Sequence, residues 1–454
     1  MSYDVIVIGA GVGGEAAGNL GGQLGGKVAV VERDLVGGEC GFWACMPSKS
    51  LLDTAARHAA GSAGFDWKHA SDRRDYMISR EGTDYPSDAG HVAALEASGA
   101  EVVRGEARIV GKGRVEVRLS DGSAGSRTLE ASNVIVSSGS VPFVPPLEGL
   151  EDAGYWTSRE GTALRDLPSS IVILGGGPIG VELAQVYIRF GVKTALVESN
   201  DRVLPRDHPL SSEHVAKQLT EEGLDIRTNV KAMRVRRGGA GRIVELSDGS
   251  SVEGAELLVA VGRRPSDLRA LGIEEAGVSL DDRGGAKPDE RMRVADGVFV
   301  AGDAAGGLQF THIADYEGRV AVRSALGQDA RSDLSAVPRC TYCDPEVGAV
   351  GMTVPEAQAS GIDAFEVTQD FAVTARGYTI EGSHGHITAV VDRERKVLAG
   401  AFAACPGAAE LIHEAVLGIK LGIPVSVLAD TIHGFPTAAR VFGNVLADAL
   451  KQLG

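Results

Sequence analysis

The chain has 454 residues, 44% of them hydrophobic, and 61 glycines, about 13% against an average usage of roughly 7%. That length is more than one ordinary core and predicts two to four domains, while the hydrophobic content and the lack of a Gly-X-Y period exclude a disordered or collagen-like chain. Lys+Arg at 45 against Asp+Glu at 61 leave a net charge of −16 with no basic stripe, so neither nucleic acid nor an anionic membrane surface is expected as a partner. No apolar run approaches the roughly 18 residues of a membrane-crossing helix, and no membrane association is predicted. The opening MSYDVIVIGAG has no basic flank ahead of its apolar run and reads as a strand entering a glycine turn rather than a signal peptide. Five cysteines do not make a secreted disulfide scaffold; they predict a reducing, cytoplasmic setting in which a disulfide is chemical rather than structural.

In chain order, Val5–Ile8 predict a strand, followed by Gly9-Ala10-Gly11-Val12-Gly13-Gly14, a small-residue helix to about Gly26, and a strand Val28–Val31 ending on Glu32. Gly9, Gly11 and Gly14 permit a tight turn and close approach of a pyrophosphate to a helix N-terminus, and Glu32 can accept hydrogen bonds from ribose hydroxyls. The helix also carries Gly18, Gly21, Gly22, Gly25 and Gly26, which cost helix stability and have no functional reason visible in the sequence. Next comes Gly37-Gly38-Glu39-Cys40-Gly41-Phe42-Trp43-Ala44-Cys45-Met46-Pro47-Ser48-Lys49. Proline favours a helix's first turn, so a helix is predicted from Cys45, burying Leu51, Leu52 and Ala55, and its N-terminus favours a thiolate at Cys45. Cys40 and Cys45 can close a small ring, but their spacing alone fits two free thiols as well.

Residues 102–130 read as a small β excursion with turns at Gly111–Gly113 and Asp121–Gly122. The strand, glycine turn, helix, strand and acid then recur: Ile171–Leu174, Gly175-Gly176-Gly177-Pro178-Ile179-Gly180, a helix to about Phe190, and Lys193–Val197 ending on Glu198. In both copies the acid lies 18 residues beyond the last motif glycine (32 − 14 and 198 − 180), and two copies in full context predict two dinucleotide sites. Glu198 would repel a 2′-phosphate and bond a free 2′-hydroxyl, favouring NADH over NADPH, with Arg202 able to soften the preference. The competing reading of Glu198 is a solvated acid at a strand end. Cys340-Thr341-Tyr342-Cys343 falls in a predicted strand, where positions three apart face opposite sides, and is not expected to be redox-active or metal-binding. His384 and His386 lack accompanying ligands, Cys405 is expected to pack, and no metal site is predicted.

The segment around Cys40 and Cys45 closely resembles the redox-active disulfide of the flavoprotein disulfide reductases, the family of lipoamide dehydrogenase, glutathione reductase and mercuric reductase, with its usual G-G-T-C-x-x-x-x-C-x-P-S-K. The resemblance covers essentially the whole chain. Val134–Pro142 is similar to the family's A-T-G-S-x-P stretch, Ala260–Pro265 to its A-x-G-R-x-P run, and VFVAGD at Val298–Asp303 to the strand whose aspartate bonds the ribityl chain. Gln309–Glu317 resembles the segment along the flavin, and Asp344–Val347 the start of the dimer-interface domain. The resemblance implies an α/β fold of two Rossmann-like dinucleotide-binding domains plus a C-terminal α+β dimerisation domain. The corresponding segments are 1–145 (FAD), 146–265 (NAD(P)), 266–335 (return to the FAD domain) and 336–454 (dimer interface), with prolines near each boundary.

It further implies a homodimer, FAD and NAD(P)H as cofactors, and a small-molecule acceptor. Cys40 would be the exposed interchange thiol, Cys45 the flavin-facing thiol, and Lys49 would lie near the flavin and pair with Glu182. The implied flavin contacts are Gly9, Gly11, Gly14, Glu32, Lys49, Ala107, Ser138, Gly139, Gly302, Asp303, Gln309, Phe310, Thr311 and His312. Those to the nicotinamide nucleotide are Gly175, Gly177, Gly180, Glu182, Glu198 and Gly262.

The family's C-terminal H-P-T-x-x-E supplies an acid/base histidine and its orienting glutamate to the partner subunit. Here Phe435 and Arg440 stand at those positions; phenylalanine cannot transfer a proton, and a permanently charged arginine cannot orient as a carboxylate does. His433, two residues earlier, matches the first histidine of a common H-x-H-P-T form and reads as a surface or supporting residue in preference to an acid/base. Phenylalanine in place of histidine is similar to the 2-ketopropyl coenzyme M oxidoreductase/carboxylase, although that enzyme has histidine where Arg440 stands. W-A-C-M-P-S-K, Arg73–Met77 and Asp88–Val92 also resemble a little-characterised bacterial group. The ending Lys451-Gln452-Leu453-Gly454 carries no cysteine, so the extra C-terminal thiols of mercuric reductase and large thioredoxin reductases are not expected. Three functions fit: a dithiol oxidoreductase whose acceptor needs little acid/base help, a carbon–sulfur-cleaving enzyme, and a flavin-bound redox sensor.

Overall fold

The computed structural model describes residues 2–80, 82–120, 125–239 and 241–454. The chain packs as two compact units, one of residues 1–50, 71–143 and 262–333, the other of residues 51–70, 144–261 and 334–454. Three of the cuts lie a few residues from the prolines noted in the sequence. The remaining two cuts bound the segment 51–70, which the sequence does not set apart.

In the first unit, strand β1 (Ser2–Ile8) lies parallel between β2 (Val28–Glu32) and the long strand β5 (Ser126–Val136). Val5 and Val7 face one core with Ala17, Val28 and Val30, whereas Ile6 and Ile8 face another with Ala29, Val31, Val134 and Val136. Covering on both faces is why the apolar run is continuous rather than alternating; each such side chain contributes about 1.5–3 kcal/mol by burial. The β excursion is an extension of this same sheet. The first residues of β3 (Glu101–Gly111) pair with β2, and its later ones turn to pair antiparallel with β4 (Arg114–Leu119), which pairs in turn with the start of β5. The expected turn at Gly111–Gly113 joins β3 to β4; the one at Asp121–Gly122 lies outside the described residues.

Between β1 and β2, helix α1 (Val12–Gln23) uses its glycines for packing. A Cβ on Gly18 would come within 2.7 Å of Val30 and 2.9 Å of Leu95, and one on Gly22 within 2.3 Å of the Ser98 carbonyl oxygen. Opposite, a Cβ on Gly318 of the helix Thr311–Ala325 would sit 2.1 Å from the Gly13 oxygen. The helix therefore lies closer to its neighbours than any side chain would allow.

The second unit holds a parallel sheet in the order Glu256–Val259, Ser170–Leu174, Lys193–Val197, Asp225–Arg227, with the helix Pro178–Arg189 on one side and a three-stranded antiparallel ribbon on the other. Leu51, Leu52 and Ala55 join the core on the helix side. A five-stranded antiparallel sheet follows, its strands His386–Asp392 and Val397–Ala404 buried throughout beneath the helices Ala408–Leu421 and Ala438–Gln452. The strand Arg339–Thr341 ends before Cys343, contrary to the sequence reading of that C-x-x-C. Cys343 is inert for a different reason: it is buried, its thiol pushed well above the ordinary value, and its Sγ donates to the Pro345 carbonyl oxygen at 3.3 Å. Among the described residues no helix is long and apolar enough to cross a membrane, and no group of three or more His, Cys, Asp and Glu side chains is placed to hold a metal ion.

Candidate functional site

Gly37 and Gly38 adopt φ of +114° and +61°, and a Cβ on Gly38 would fall 2.8 Å from the Gly11 Cα. This turn, which only glycine adopts readily, folds the chain onto the glycine loop and starts the short helix α2 (Gly38–Phe42) carrying Cys40. Helix α3 (Cys45–Ala59) begins on Cys45, with Pro47 in its first turn. Thr311 Oγ1, at the start of its helix, lies 3.2 Å from Cys40 Sγ and 3.3 Å from Cys45 Sγ, so one hydroxyl joins the two sulfurs. The adjacent Cys45 sulfur and burial push the Cys40 thiol well above its ordinary value, with Thr311 and Lys49 acting the other way. Both cysteines are free thiols and both are half-buried, so the exposure expected of Cys40 is only partial. Ser48 Oγ donates to the Cys45 carbonyl oxygen, and Lys49 Nζ lies 3.4 Å from Ser48 Oγ.

Around this pair the first unit forms a cradle. Gly9 has φ +91°, and a Cβ there would meet the Ser137 oxygen at 2.5 Å; a Cβ on Gly14 would sit 1.8 Å from the Gly9 oxygen, whereas Gly11 faces open space. Glu32 is buried, one oxygen accepting the Ala10 N–H at 2.6 Å and the other the Asp34 N–H at 2.7 Å. Asp303 accepts the Ser140 hydroxyl at 2.5 Å, and Ser140 accepts the Arg263 Nε–H at 2.8 Å. Arg263 also reaches to 4.0 Å from Glu39, next to Cys40. Ser138 Oγ and Gln309 Nε2 are buried with no hydrogen-bond partner, and the Phe310 and His312 rings stack at 5.2 Å. Gly139 and Gly302 have φ of +74° and +70°, and Ala107 is buried on β3. Glu317 accepts the Gly302 N–H at 2.9 Å, and burial pushes its carboxyl up to about 7. Open space at Gly11, the two unpaired buried polar atoms and the oriented Asp303 fit a dinucleotide with a polyol chain.

Several of these residues escaped the sequence reading. Arg263 and Ser140 lie inside the recognised motifs, but the resemblance implies site roles there only for Ser138, Gly139 and Gly262. Thr311 was taken as a flavin contact with no link to the sulfurs. His91, whose Nδ1 lies 2.8 Å from Glu15 in the first turn of α1 and whose ring meets Phe42 edge-on, lies in the Asp88–Val92 stretch that the sequence marks only by its resemblance, with no role attached.

The second unit repeats the glycine turn almost atom for atom. Gly175 has φ +105°, with its Cβ position 2.4 Å from the Ala260 oxygen; that of Gly180 is 1.9 Å from the Gly175 oxygen, and Gly177 faces open space. Glu198 accepts the Gly176 N–H at 2.6 Å and the Asn200 N–H at 2.7 Å, as Glu32 does from Ala10 and Asp34. It is buried, which overturns the reading of a solvated strand-end acid. Arg202 is bonded to the Pro205 carbonyl oxygen at 3.1 Å and lies beside Asp201. Gly262, counted with the nicotinamide contacts, packs with the first unit and has φ +121°. Glu182 is buried and accepts the Tyr342 N–H at 2.9 Å. Lys49 belongs to the first unit and Glu182 to the second.

Near the C-terminus Phe435 is 74% exposed and Ile432 97%. Thr437 caps the last helix, its hydroxyl accepting the Arg440 N–H at 3.1 Å. The His433 side chain is only 5% exposed, so it is no surface histidine: Nε2 lies 3.0 Å from Glu414, and Nδ1 packs where a Cβ on Gly443 would come within 2.7 Å. The ring is committed to holding this segment against two helices.

Residues 3–318 match the family described as pyridine nucleotide-disulphide oxidoreductase, and residues 337–445 its dimerisation domain. The chain is 36% identical over 450 residues to a dihydrolipoyl dehydrogenase of Thermus scotoductus, covering 96% of this chain and 95% of that protein. It is 31% identical over 454 residues to a mercuric reductase of Streptomyces lividans, covering 96% and 94%. Among solved structures, the HOCl-induced flavoprotein disulfide reductase RclA from Escherichia coli superimposes with a TM-score of 0.87 at 28% identity, covering 98% of this chain and 99% of that one.

Proposed function

The chain belongs to the pyridine nucleotide-disulphide oxidoreductase family, whose members bind FAD and a pyridine nucleotide, and from that premise we propose that it passes electrons from NAD(P)H, with NADH preferred, to the Cys40–Cys45 pair and on to a small-molecule acceptor that needs little acid/base help. The observation that carries this reading is the single Thr311 hydroxyl joining both sulfurs. Residues 1–145 with 266–335 would hold FAD, residues 146–265 the nicotinamide nucleotide, and residues 336–454 a second copy of the chain. Bound in the cradle, the flavin supplies the two-electron relay between nicotinamide and disulfide.

The chain's own part is to place sulfur and charge. Cys45 stands at the N-terminus of α3, whose dipole favours the negative charge of the reduced pair on that sulfur, while the Thr311 hydroxyl donates to Cys40 at 3.2 Å and meets Cys45 at 3.3 Å. Cys40 is then the thiol that meets the acceptor, and Cys45 resolves the mixed disulfide. With Phe435 and Arg440 in place of the histidine and glutamate, no group there protonates a departing alkyl thiolate. Quinones, dyes, metal ions or a disulfide with a low-pKa leaving thiol escape that need. The NADH preference rests on Glu198, already anchored and buried with an oxygen toward the glycine loop. A homodimer and a reducing, cytoplasmic setting belong to the same reading.

A second reading, carbon–sulfur cleavage with Cys40 taking the mixed disulfide, is favoured by Phe435 itself, which would spare a carbanion from protonation. A flavin-bound redox sensor is the third, and the intact Cys40, Cys45 and Lys49 set weighs against it. Anaerobic NADH titration of the FAD-loaded enzyme tests the dithiol assignment. A long-wavelength charge-transfer band is expected in wild type and absent in Cys45→Ser; its absence from wild type, or its survival in the variant, contradicts the assignment.

A further inference from the structure

We propose that His214 and His384 form a binding site for one divalent transition-metal ion. His214 stands on the helix Pro209–Glu221 and His384 just before the strand His386–Asp392, 170 residues away, too far apart in the chain for any local pattern to pair them. Their Nδ1 atoms face each other at 3.2 Å, with the rings stacked at 5.3 Å. Metal–imidazole bonds of about 2.0–2.1 Å set two neighbouring ligand nitrogens about 2.9–3.4 Å apart, so the pair already has a chelate's spacing.

A charged relay fixes which nitrogen of His384 offers its lone pair. Arg189 donates to both oxygens of Glu222 at 2.8 and 2.6 Å, and a carboxylate so held can only accept from Gln218 Nε2 at 2.8 Å. Gln218 Oε1 must therefore face His384 Nε2, at 2.8 Å, and accept its proton. In the neutral ring that leaves Nδ1 of His384 as a bare lone pair aimed at His214. Ligating histidines are held in this way, the second nitrogen donating to a fixed oxygen. Without metal, His214 Nδ1–H donates to that lone pair; with metal, the His214 proton moves to Nε2, both Nδ1 atoms bond the ion, and no net proton is lost.

The neighbouring histidines are spoken for. Both nitrogens of His386 are taken, by Ser211 and Thr388, and those of His208 by the Leu210 N–H and Glu366. His214 and His384 are only half-buried and open to solutes. Burial lowers both imidazoles from their ordinary value; of the charged groups, Asp370, Glu213, Glu221 and Asp344 favour positive charge here, and Lys217 and the facing histidine oppose it. Two imidazoles with water in the remaining positions suit Cu(II), Ni(II) and Zn(II) rather than Mg(II) or Ca(II).

The test titrates FAD-loaded enzyme whose Cys40–Cys45 pair is oxidised, so that its thiols do not compete, with Zn(II) by calorimetry and with Cu(II) by electron paramagnetic resonance. One ion per chain and nitrogen couplings from two imidazoles are expected. The double variant His214→Gln/His384→Gln should lose the ion. Gln218→Leu, which keeps both ligands and frees the His384 ring, should weaken binding about 10- to 100-fold. Wild type that binds no ion below about 100 µM, a spectrum without nitrogen couplings, or binding retained by the double variant overturns the site. The spectrum is read on wild type, so an unfolded variant does not decide the outcome.

Discussion

On the proposed function, the hydroxyl of Thr311, which meets both sulfurs, tunes the chemistry of the pair. A hydrogen bond to a charged group is worth about 1.5–3 kcal/mol, so its loss should raise the pH at which the thiolate of the pair forms by about 1–2. Thr311→Val should therefore shift the pH dependence of the charge-transfer band upward by that amount, read spectroscopically in FAD-loaded enzyme; an unchanged profile would separate the hydroxyl from the sulfur chemistry. Glu317 offers a second, independent titration. Its carboxyl is raised from the ordinary 4.5 to about 7, so the folded protein holds this proton more tightly than the unfolded chain. That contribution is complete below about pH 4.5 and is lost as pH rises through about 7, at most about 3 kcal/mol. Denaturant unfolding between pH 5 and 8 should show this decline in wild type and a flatter profile in Glu317→Gln.

At the scale of elements, the glycine-rich helix α1 reverses an ordinary rule. Alanine for glycine in a helix gains about 0.5–1 kcal/mol of intrinsic preference. At Gly22 the new Cβ would lie 2.3 Å from the Ser98 oxygen, an overlap that costs about 1–3 kcal/mol and wins. Gly22→Ala should lower the melting temperature, whereas Gly90→Ala, at a helical position with no atom within 4 Å of its Cβ, should leave it unchanged or raise it. The two strand–turn–helix–strand–acid runs were legible because every part lies within about 25 residues and each turn obeys local steric rules. Gly18, Gly21 and Gly22 were not, because the reasons for them lie on Val30, Val322 and Ser98, which no local pattern can indicate. The same limit hid the approach of His214 to His384 and of Thr311 to both sulfurs. Glu198 was legible as a ligand acid, but its burial was visible only once Gly176 and Asn200 were seen to hold it.

Across the whole molecule, one device is used twice: a buried strand-end acid clamps the loop whose glycines leave room for a diphosphate, Glu32 in the first unit and Glu198 in the second. Both units are assembled from discontinuous stretches, and the family's dimerisation domain ends in a segment where Phe435 and Ile432 point outward while His433 is locked to Glu414. On the proposed function the enzyme keeps its dithiol and works without the C-terminal proton donor, so selectivity should follow the leaving-group pKa of the acceptor. The most direct measurement is kcat/KM for NADH-driven reduction of an aromatic disulfide against an alkyl disulfide, in wild type and in Phe435→His/Arg440→Glu. Wild type should favour the aromatic disulfide by about 100-fold or more, the rate factor general acid catalysis ordinarily supplies, and the double variant should narrow that gap by raising the alkyl rate alone. Equal rates with both disulfides in wild type, or a double variant that gains nothing with the alkyl one, would contradict an electron transfer shaped by the missing acid/base dyad.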